Sequence, residues 1–256
     1  ENGLDHVHNT GESIAQYSSD PTNVNSLLTM ETSVFKKLSN GRIWIASEHN
    51  GVTVLDVENN IFTRYEHSDE NENSIIEGKI ECIYEDLDGT VWLSSINGVC
   101  LFKNNKFKNF IFNPSLQNNH VSGVTAFLDD SGGEFWVGTS ANGLFKVNKP
   151  DMSFKEHYIL DTNDKNSFAS SVVLTIYKDK DGDIWIGSGG EGLFKYNVHE
   201  NNFTRITIED GLPSNTITSL TNDNEGFLWM GTRNGIARLK QKNELFHIQA
   251  YNATDG

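Results

Sequence analysis

Short apolar runs, only a few residues long, recur along this chain and alternate with clusters of Asn, Asp and Gly. No long stretch places apolar residues at i, i+3, i+4, i+7, so amphipathic helices are not expected. The runs are rich in β-branched and aromatic residues, which predicts an all-β fold. One segment shows the grammar. Ile80–Glu85 reads as a strand, Asp86-Leu87-Asp88-Gly89 as a turn, and Thr90–Ser94 as a second strand. Asn97-Gly98 turns the chain into Val99–Lys103, and Asn104-Asn105-Lys106 turns it into Phe107–Phe112. Asn-Gly and Asp-Gly are hairpin signals because glycine supplies the positive φ that tight turns need.

The same sentence is written five times. Trp44, Trp92, Trp136, Trp185 and Trp229 are spaced by 48, 44, 49 and 44 residues. Three residues before each stands a glycine (Gly41, Gly89, Gly133, Gly182, Gly226), and six or seven after each stands another (Gly51, Gly98, Gly143, Gly192, Gly235). Six before, four of the five carry aspartate (Asp86, Asp130, Asp179, Asp223), with Leu38 the exception. A four-stranded antiparallel meander, strands a to d, at this period predicts a β-propeller blade. Strand b, as in Ile184-Trp185-Ile186, is apolar on both faces, as a strand between two neighbouring blades must be. A parallel β-helix has shorter coils.

The units divide the chain at 1–19, 20–67, 68–113, 114–160, 161–208 and 209–256, all one propeller domain. The first holds only outer strands, Gly3–His8 and Ser13–Tyr17, with strands a and b missing. Five full blades and this partial one read as a fragment of a seven-bladed propeller. No basic region followed by an apolar one opens the chain, and no apolar run approaches the roughly 20 residues of a membrane helix.

Composition narrows the partners. Thirty-five acidic against 20 scattered basic residues leave a net charge of −15, which disfavours nucleic acid and anionic membrane surfaces. Cys82 lies on strand a and Cys100 on strand c of one blade. Two inter-strand steps of roughly 4.8 Å exceed the Cα separation of about 7 Å that a disulfide tolerates. Two free, buried thiols are expected.

Three motifs invite chemistry and decline it on context. Gly187-Ser188-Gly189-Gly190-Glu191-Gly192 matches G-x-G-x-x-G, but it leads into a strand, Leu193-Phe194-Lys195-Tyr196, rather than a helix facing a pyrophosphate. DKDGD at 179–183 resembles the start of a calcium loop, yet the twelfth position is Gly190, and Asp179 is expected to cap its turn. His6 and His8 share one strand face but form at most half of a metal site. No cofactor, metal ligand set or catalytic residue is assigned.

The units resemble the two-component regulator propeller repeat, most clearly in SSVVLTIYKDKDGDIWIGSGGEGLFKYN at 170–197 and SNTITSLTNDNEGFLWMGTRNGIARL at 214–239. The first unit departs most, with Leu38 for the turn Asp and Ala46 for a Gly. The resemblance implies the periplasmic sensor region of Bacteroides-type hybrid two-component histidine kinases. In that family two seven-bladed propellers precede an immunoglobulin-like domain, a membrane helix, a kinase and often a DNA-binding output domain. Many members respond to oligosaccharides from polysaccharide breakdown. It further implies other propeller blades and a second protomer as partners, with no direct membrane contact by this segment.

In a propeller the b–c turns and the d–a loops share the face around the central channel, and loops on a rigid scaffold carry binding. The candidate ligand contacts are therefore His49, Asn50, Asn97, Asn142, Glu191, Arg233 and Asn234. The d–a loops SDENENS, NPSLQNNH, LDTNDKNS and EDGLPSN are polar enough for sugars. Two alternatives stay open. One is a streptogramin-lyase-like enzyme, for which His49 with Glu191 is the nearest pair; the other is a protein-binding scaffold.

Overall fold

The computed structural model describes residues 4–7, 13–20, 22–29, 31–48, 51–111, 123–130, 132–161, 163–242 and 245–251, with backbone alone for 4–7 and 13–15. β1 (Leu4–Val7) and β2 (Ser13–Tyr17) form an antiparallel pair. Five four-stranded antiparallel sheets follow, each a meander in chain order. Blade 1 is β3 (Thr32–Lys37), β4 (Ile43–Ser47), β5 (Gly51–Asp56) and β6 (Ile61–Glu66). Blade 2 is β7 (Ile80–Glu85), β8 (Val91–Ser95), β9 (Gly98–Lys103) and β10 (Lys106–Ile111). Blade 3 is β11 (Val124–Asp129), β12 (Glu134–Thr139), β13 (Leu144–Asn148) and β14 (Phe154–Tyr158). Blade 4 is β15 (Val173–Lys178), β16 (Ile184–Ser188), β17 (Leu193–Asn197) and β18 (Asn202–Ile206), and blade 5 is β19 (Ile217–Asn222), β20 (Leu228–Thr232), β21 (Gly235–Lys242) and β22 (Leu245–Tyr251). The chain forms two compact units, Glu1–Val124 and Thr125–Gly256.

The expected strands are present within a residue or two. The a–b turns close as the glycine pattern requires: Gly41, Gly89, Gly133, Gly182 and Gly226 have φ between 78° and 89°. Each turn is pinned by its first residue. Asp179 N–H donates to Asp183 O at 2.9 Å and Gly182 N–H to Asp179 O at 3.1 Å; Leu38 does the same with Arg42 and Gly41. The backbone carries this turn, so blade 1 tolerates the missing aspartate.

Stacking buries strand b on both faces. In the first unit Trp44 lies 5.0 Å from Phe102 of blade 2 and stacks at 6.0 Å on Tyr65 of its own blade. In the second unit Trp136 lies 4.6 Å from Tyr196 of blade 4, and Trp185 lies 6.0 Å from Phe246 of blade 5. Each such ring removes on the order of 200 Å² from water, worth about 5 kcal/mol before entropic losses. The space is tight where the strands cross. A Cβ on Gly187 would sit 2.9 Å from Ile217 of the next blade, which is why a glycine follows most of these Trp-apolar pairs.

Those contacts account for G-x-G-x-x-G. Gly187 admits the neighbouring blade. Gly192 has φ +94°, and a Cβ there would meet Ile206 O at 2.2 Å. The chain leaves the motif into β17, a strand, so no helix N-terminus faces a phosphate.

Cys82 and Cys100 lie on β7 and β9 with β8 between them, and no disulfide joins them. Cys100 is fully buried, and burial pushes its thiol up to about 12. Cys82 departs from expectation, being only half-buried, because it sits on the innermost strand, where no further strand of its own blade covers it.

Candidate ligand-binding rim

Each unit carries its own rim of b–c turns and d–a loops. The d–a loops repeat a hydrogen-bonded design. In 20–27, 68–75 and 161–168 a serine six residues into the loop accepts from the first backbone N–H and donates to the first carbonyl. The pairs are Asp20 with Ser26, Ser68 with Ser74, and Asp161 with Ser167. A second polar side chain, Asn23, Asn71 or Asp164, accepts the N–H two residues on at 2.9 to 3.0 Å. The next residue, Leu27, Ile75 or Phe168, is at most 1% exposed and anchors the loop in the core. Much of the loop polarity thus fixes the loop's own backbone, leaving a rigid rim. The loop NPSLQNNH lies outside the described residues. The loop after β18 differs: Thr207 and Asp210 form a capping box on a short 3₁₀ turn at Ile208–Asp210.

The predicted contact residues fare unequally. His49 and Asn50 lie outside the described residues, so their pairing with Glu191 is not defined. Asn97 Nδ2 donates to Glu77 O at 3.3 Å, and Asn234 Nδ2 to Pro213 O at 3.4 Å. The same turn position in two blades therefore tethers the incoming d–a loop, and each amide keeps its Oδ1 as an acceptor. Asn142 O accepts from His157 Nε2 at 2.8 Å, and Asn142 N–H donates to Thr139 Oγ1 at 2.9 Å. Glu191 is ion-paired with Arg205, whose Nε also donates to Glu191 O at 2.7 Å. Arg233 is exposed, and its guanidinium has no partner among the described residues.

Sequence reasoning missed the side chains that hold these loops. They occupy one register on strand d: Arg64, Asn109, His157 and Arg205, each followed by Tyr, Phe or Ile. Arg64 reaches the carbonyls of Asp20, Asn23, Ser26 and Leu27 at 2.8 to 3.1 Å, and Asn109 Nδ2 donates to Ser74 O at 3.1 Å. The recurring polar residue in FTRY, FKNF, KEHY and FTRI was the available signal. In the first unit Lys79 bridges Glu48 of blade 1, at 3.1 Å, and Glu81 of β7, at 3.8 Å. The exposed Ile96 stands on the blade 2 turn.

His67 opens one loop. Its ring nitrogens face two acceptors, Ile75 O at 2.8 Å and Asp69 Oδ1 at 3.1 Å. The Ile75 carbonyl, with Asp69 adding to it, raises its pKa, because the imidazolium alone donates to both.

On the opposite side of the blades, the motif aspartate has a role beyond the turn. Asp179 Oδ2 accepts from Trp185 Nε1 at 2.7 Å while Oδ1 accepts from the N–H groups of Asp181 and Asp183. Asp223 repeats this with Trp229, Glu225 and Phe227. Both oxygens serve the fold, so DKDGD is a clasp between turn and indole. Among the described residues no group of three His, Cys, Asp or Glu side chains could hold a metal ion.

Meander blades, interblade tryptophans and a loop-built rim define a β-propeller. Its repeats at 167–190 and 211–234 match the family model described as the two component regulator propeller. The chain superposes on the extracellular domain assigned to hybrid two component system BT3049 of B. thetaiotaomicron, with TM-score 0.78 and 22% identity, covering 98% of this chain and 33% of that one. The corresponding domain of BT4673 gives TM-score 0.70 and 17% identity over 98% of this chain and 41% of that one. Virginiamycin B lyase from Staphylococcus aureus gives TM-score 0.65 and 15% identity over 88% and 71%. At these identities the likeness is one of fold, and the chain spans well under half of the two extracellular domains. No curated protein matches the chain.

Proposed function

We propose that this chain is part of the periplasmic, ligand-sensing propeller region of a hybrid two-component histidine kinase, and that its rim recognises an oligosaccharide. The observation that carries the reading is the in-register repeat, matched to the two component regulator propeller in two copies. The rigid rim supports it, because a preorganised loop surface loses little conformational entropy on binding. Binding would be transmitted through the neighbouring domains and a second protomer to a kinase elsewhere in the protein; the segment itself performs no chemistry and touches neither nucleic acid nor membrane. The hydrogen bonds on each unit support a narrower contact set. In the first unit the Oδ1 of Asn97 and the Glu48–Lys79–Glu81 cluster offer hydrogen-bonding capacity, and in the second Arg233 and the Oδ1 of Asn234 do, whereas Glu191 serves Arg205.

Calorimetric titration of the complete ectodomain against a panel of neutral and acidic oligosaccharides tests this. Binding of one class, weakened about tenfold or more by Arg233→Ala, is the expected result. Absence of binding by every sugar, together with divalent-dependent turnover of a cyclic depsipeptide, would replace the sensor with a lyase.

A further inference from the structure

In the second unit, on the side opposite the rim, blades 3 and 4 enclose a cavity of about 410 Å³. That volume suits a small ligand, whose pockets span about 300–1,000 Å³. Asp130, Trp136 and Lys146 of blade 3 line it, with Lys178, Lys195 and Tyr196 of blade 4. Two donors in this lining have unused capacity. Trp136 Nε1 is buried and has no hydrogen-bond partner. Lys178 Nζ reaches the Asp130 carbonyl at 3.4 Å and no carboxylate among the described residues. The repeat shows what the indole position takes. In blades 4 and 5 the equivalent Nε1 of Trp185 and of Trp229 donates to a carboxylate oxygen, of Asp179 and of Asp223, each at 2.7 Å. Blade 3 has Asp130 at the same place in the repeat, but its Oδ2 turns to Lys146 at 3.5 Å and its Oδ1 accepts from Gly132 N at 2.8 Å.

The carboxylates nearby are taken. Glu134 is ion-paired with Lys146, at 3.0 Å, and with Lys155, and Asp183 is ion-paired with Lys195. A buried N–H without an acceptor is costly, so an acceptor brought from outside gains what the chain leaves unmade. We infer that the cavity binds a small hydroxylated carboxylate, whose carboxyl group bridges Trp136 Nε1 and Lys178 Nζ. Charge supports a monoanion. Lys146, Lys178 and Lys195 are balanced around the cavity by Asp130, Asp183 and Glu200, so a second negative charge on the ligand would find no cation of its own. Glu200 is exposed and has no partner among the described residues, which leaves its oxygens to accept from hydroxyl groups. Entry displaces the Lys146 ammonium, which lies over the Trp136 ring 5.2 Å from its centroid, and brings it to the incoming carboxylate as a further donor. Occupancy of this site is independent of what the rim recognises.

Titration of the whole chain with sodium glucuronate, followed through the tryptophan indole N–H resonances, tests this. The Trp136 resonance, assigned through its ring protons, is expected to move downfield to saturation. Those of Trp185 and Trp229, already bonded to Asp179 and Asp223, should stay in place. Lys178→Gln should weaken binding about tenfold, and Lys178→Arg should restore most of it. Lys178 is only half-buried, and unmoved Trp185 and Trp229 resonances report that the variant is folded. Glucose, which lacks the carboxyl group, and inorganic phosphate should each bind about tenfold more weakly or worse. No saturable shift with glucuronate, or an equal response to glucose, would overturn the inference. So would equal binding of inorganic phosphate, which would mark an adventitious ion only. A Trp136 resonance that already lies with the other two, and leaves them in Asp130→Ala, would overturn it as well, since Asp130 would then fill the acceptor place.

Discussion

Asp179→Ala removes the clasp that joins a turn to an interblade indole. Three hydrogen bonds disappear: from Trp185 Nε1 at 2.7 Å, Asp181 N at 3.0 Å and Asp183 N at 2.9 Å. Trp185 is 2% exposed, so its N–H is left buried without an acceptor, at about 1–3 kcal/mol. The turn amides are near solvent and turn to water; losing their side-chain acceptor costs about 0.5–2 kcal/mol, as at a helix cap. The sum is about 1.5–5 kcal/mol. Blade 3 provides the control. Asp130 Oδ1 accepts from Gly132 N at 2.8 Å, and its other oxygen lies 3.5 Å from Lys146. Trp136 Nε1 is buried without a hydrogen-bond partner there. Asp130→Ala therefore orphans no indole and should cost about 1 kcal/mol. Urea denaturation read by circular dichroism compares the two variants, and the indole N–H resonance of Trp185 reports the clasp itself. Equal losses for the two variants, or an unmoved Trp185 resonance in Asp179→Ala, would refute the reasoning.

Two further outcomes follow from titratable groups. His67 is raised above its ordinary value of 6.5 by acceptors present only in the fold, so its contribution is complete below that value and lost as pH rises through the folded pKa. Amide exchange in 68–75 should accelerate as pH rises through the raised folded pKa and become pH-insensitive in His67→Gln, beyond the intrinsic base catalysis of exchange; a ring titrating at or below 6.5 would contradict the assignment. Cys100, with its thiol pushed up to about 12 and no exposed surface, should resist a disulfide reagent until the chain unfolds, while the half-buried Cys82 reacts first. Mass spectrometry of the labelled peptides distinguishes the two sites, and equal native labelling would place Cys100 wrongly.

The sequence showed the turn-tip amides of the candidate rim but not the groups they bond. Asn97, Asn142 and Asn234 stood out as amides at turn tips, and turn tips they are. Their hydrogen bonds run to Glu77, His157 and Pro213, 15 to 21 residues away, and only strand pairing brings those groups near. Arg64, Asn109 and Arg205 went unnoticed because their partners belong to loops that look merely solvated.

What the sequence determined by itself is the repeat and its turns. A tryptophan every 44 to 49 residues, with glycines three before and six or seven after, specifies the four-strand meander, since positive φ and apolar strand b are local demands. Tertiary structure decided which polar groups are occupied and which apolar surfaces are covered. Asp179 meets its indole through the fold of one hairpin, and Phe102 is packed only when the preceding blade lays Trp44 on it. Burial is a property of the neighbour as much as of the residue, and the neighbour lies one whole repeat away along the chain.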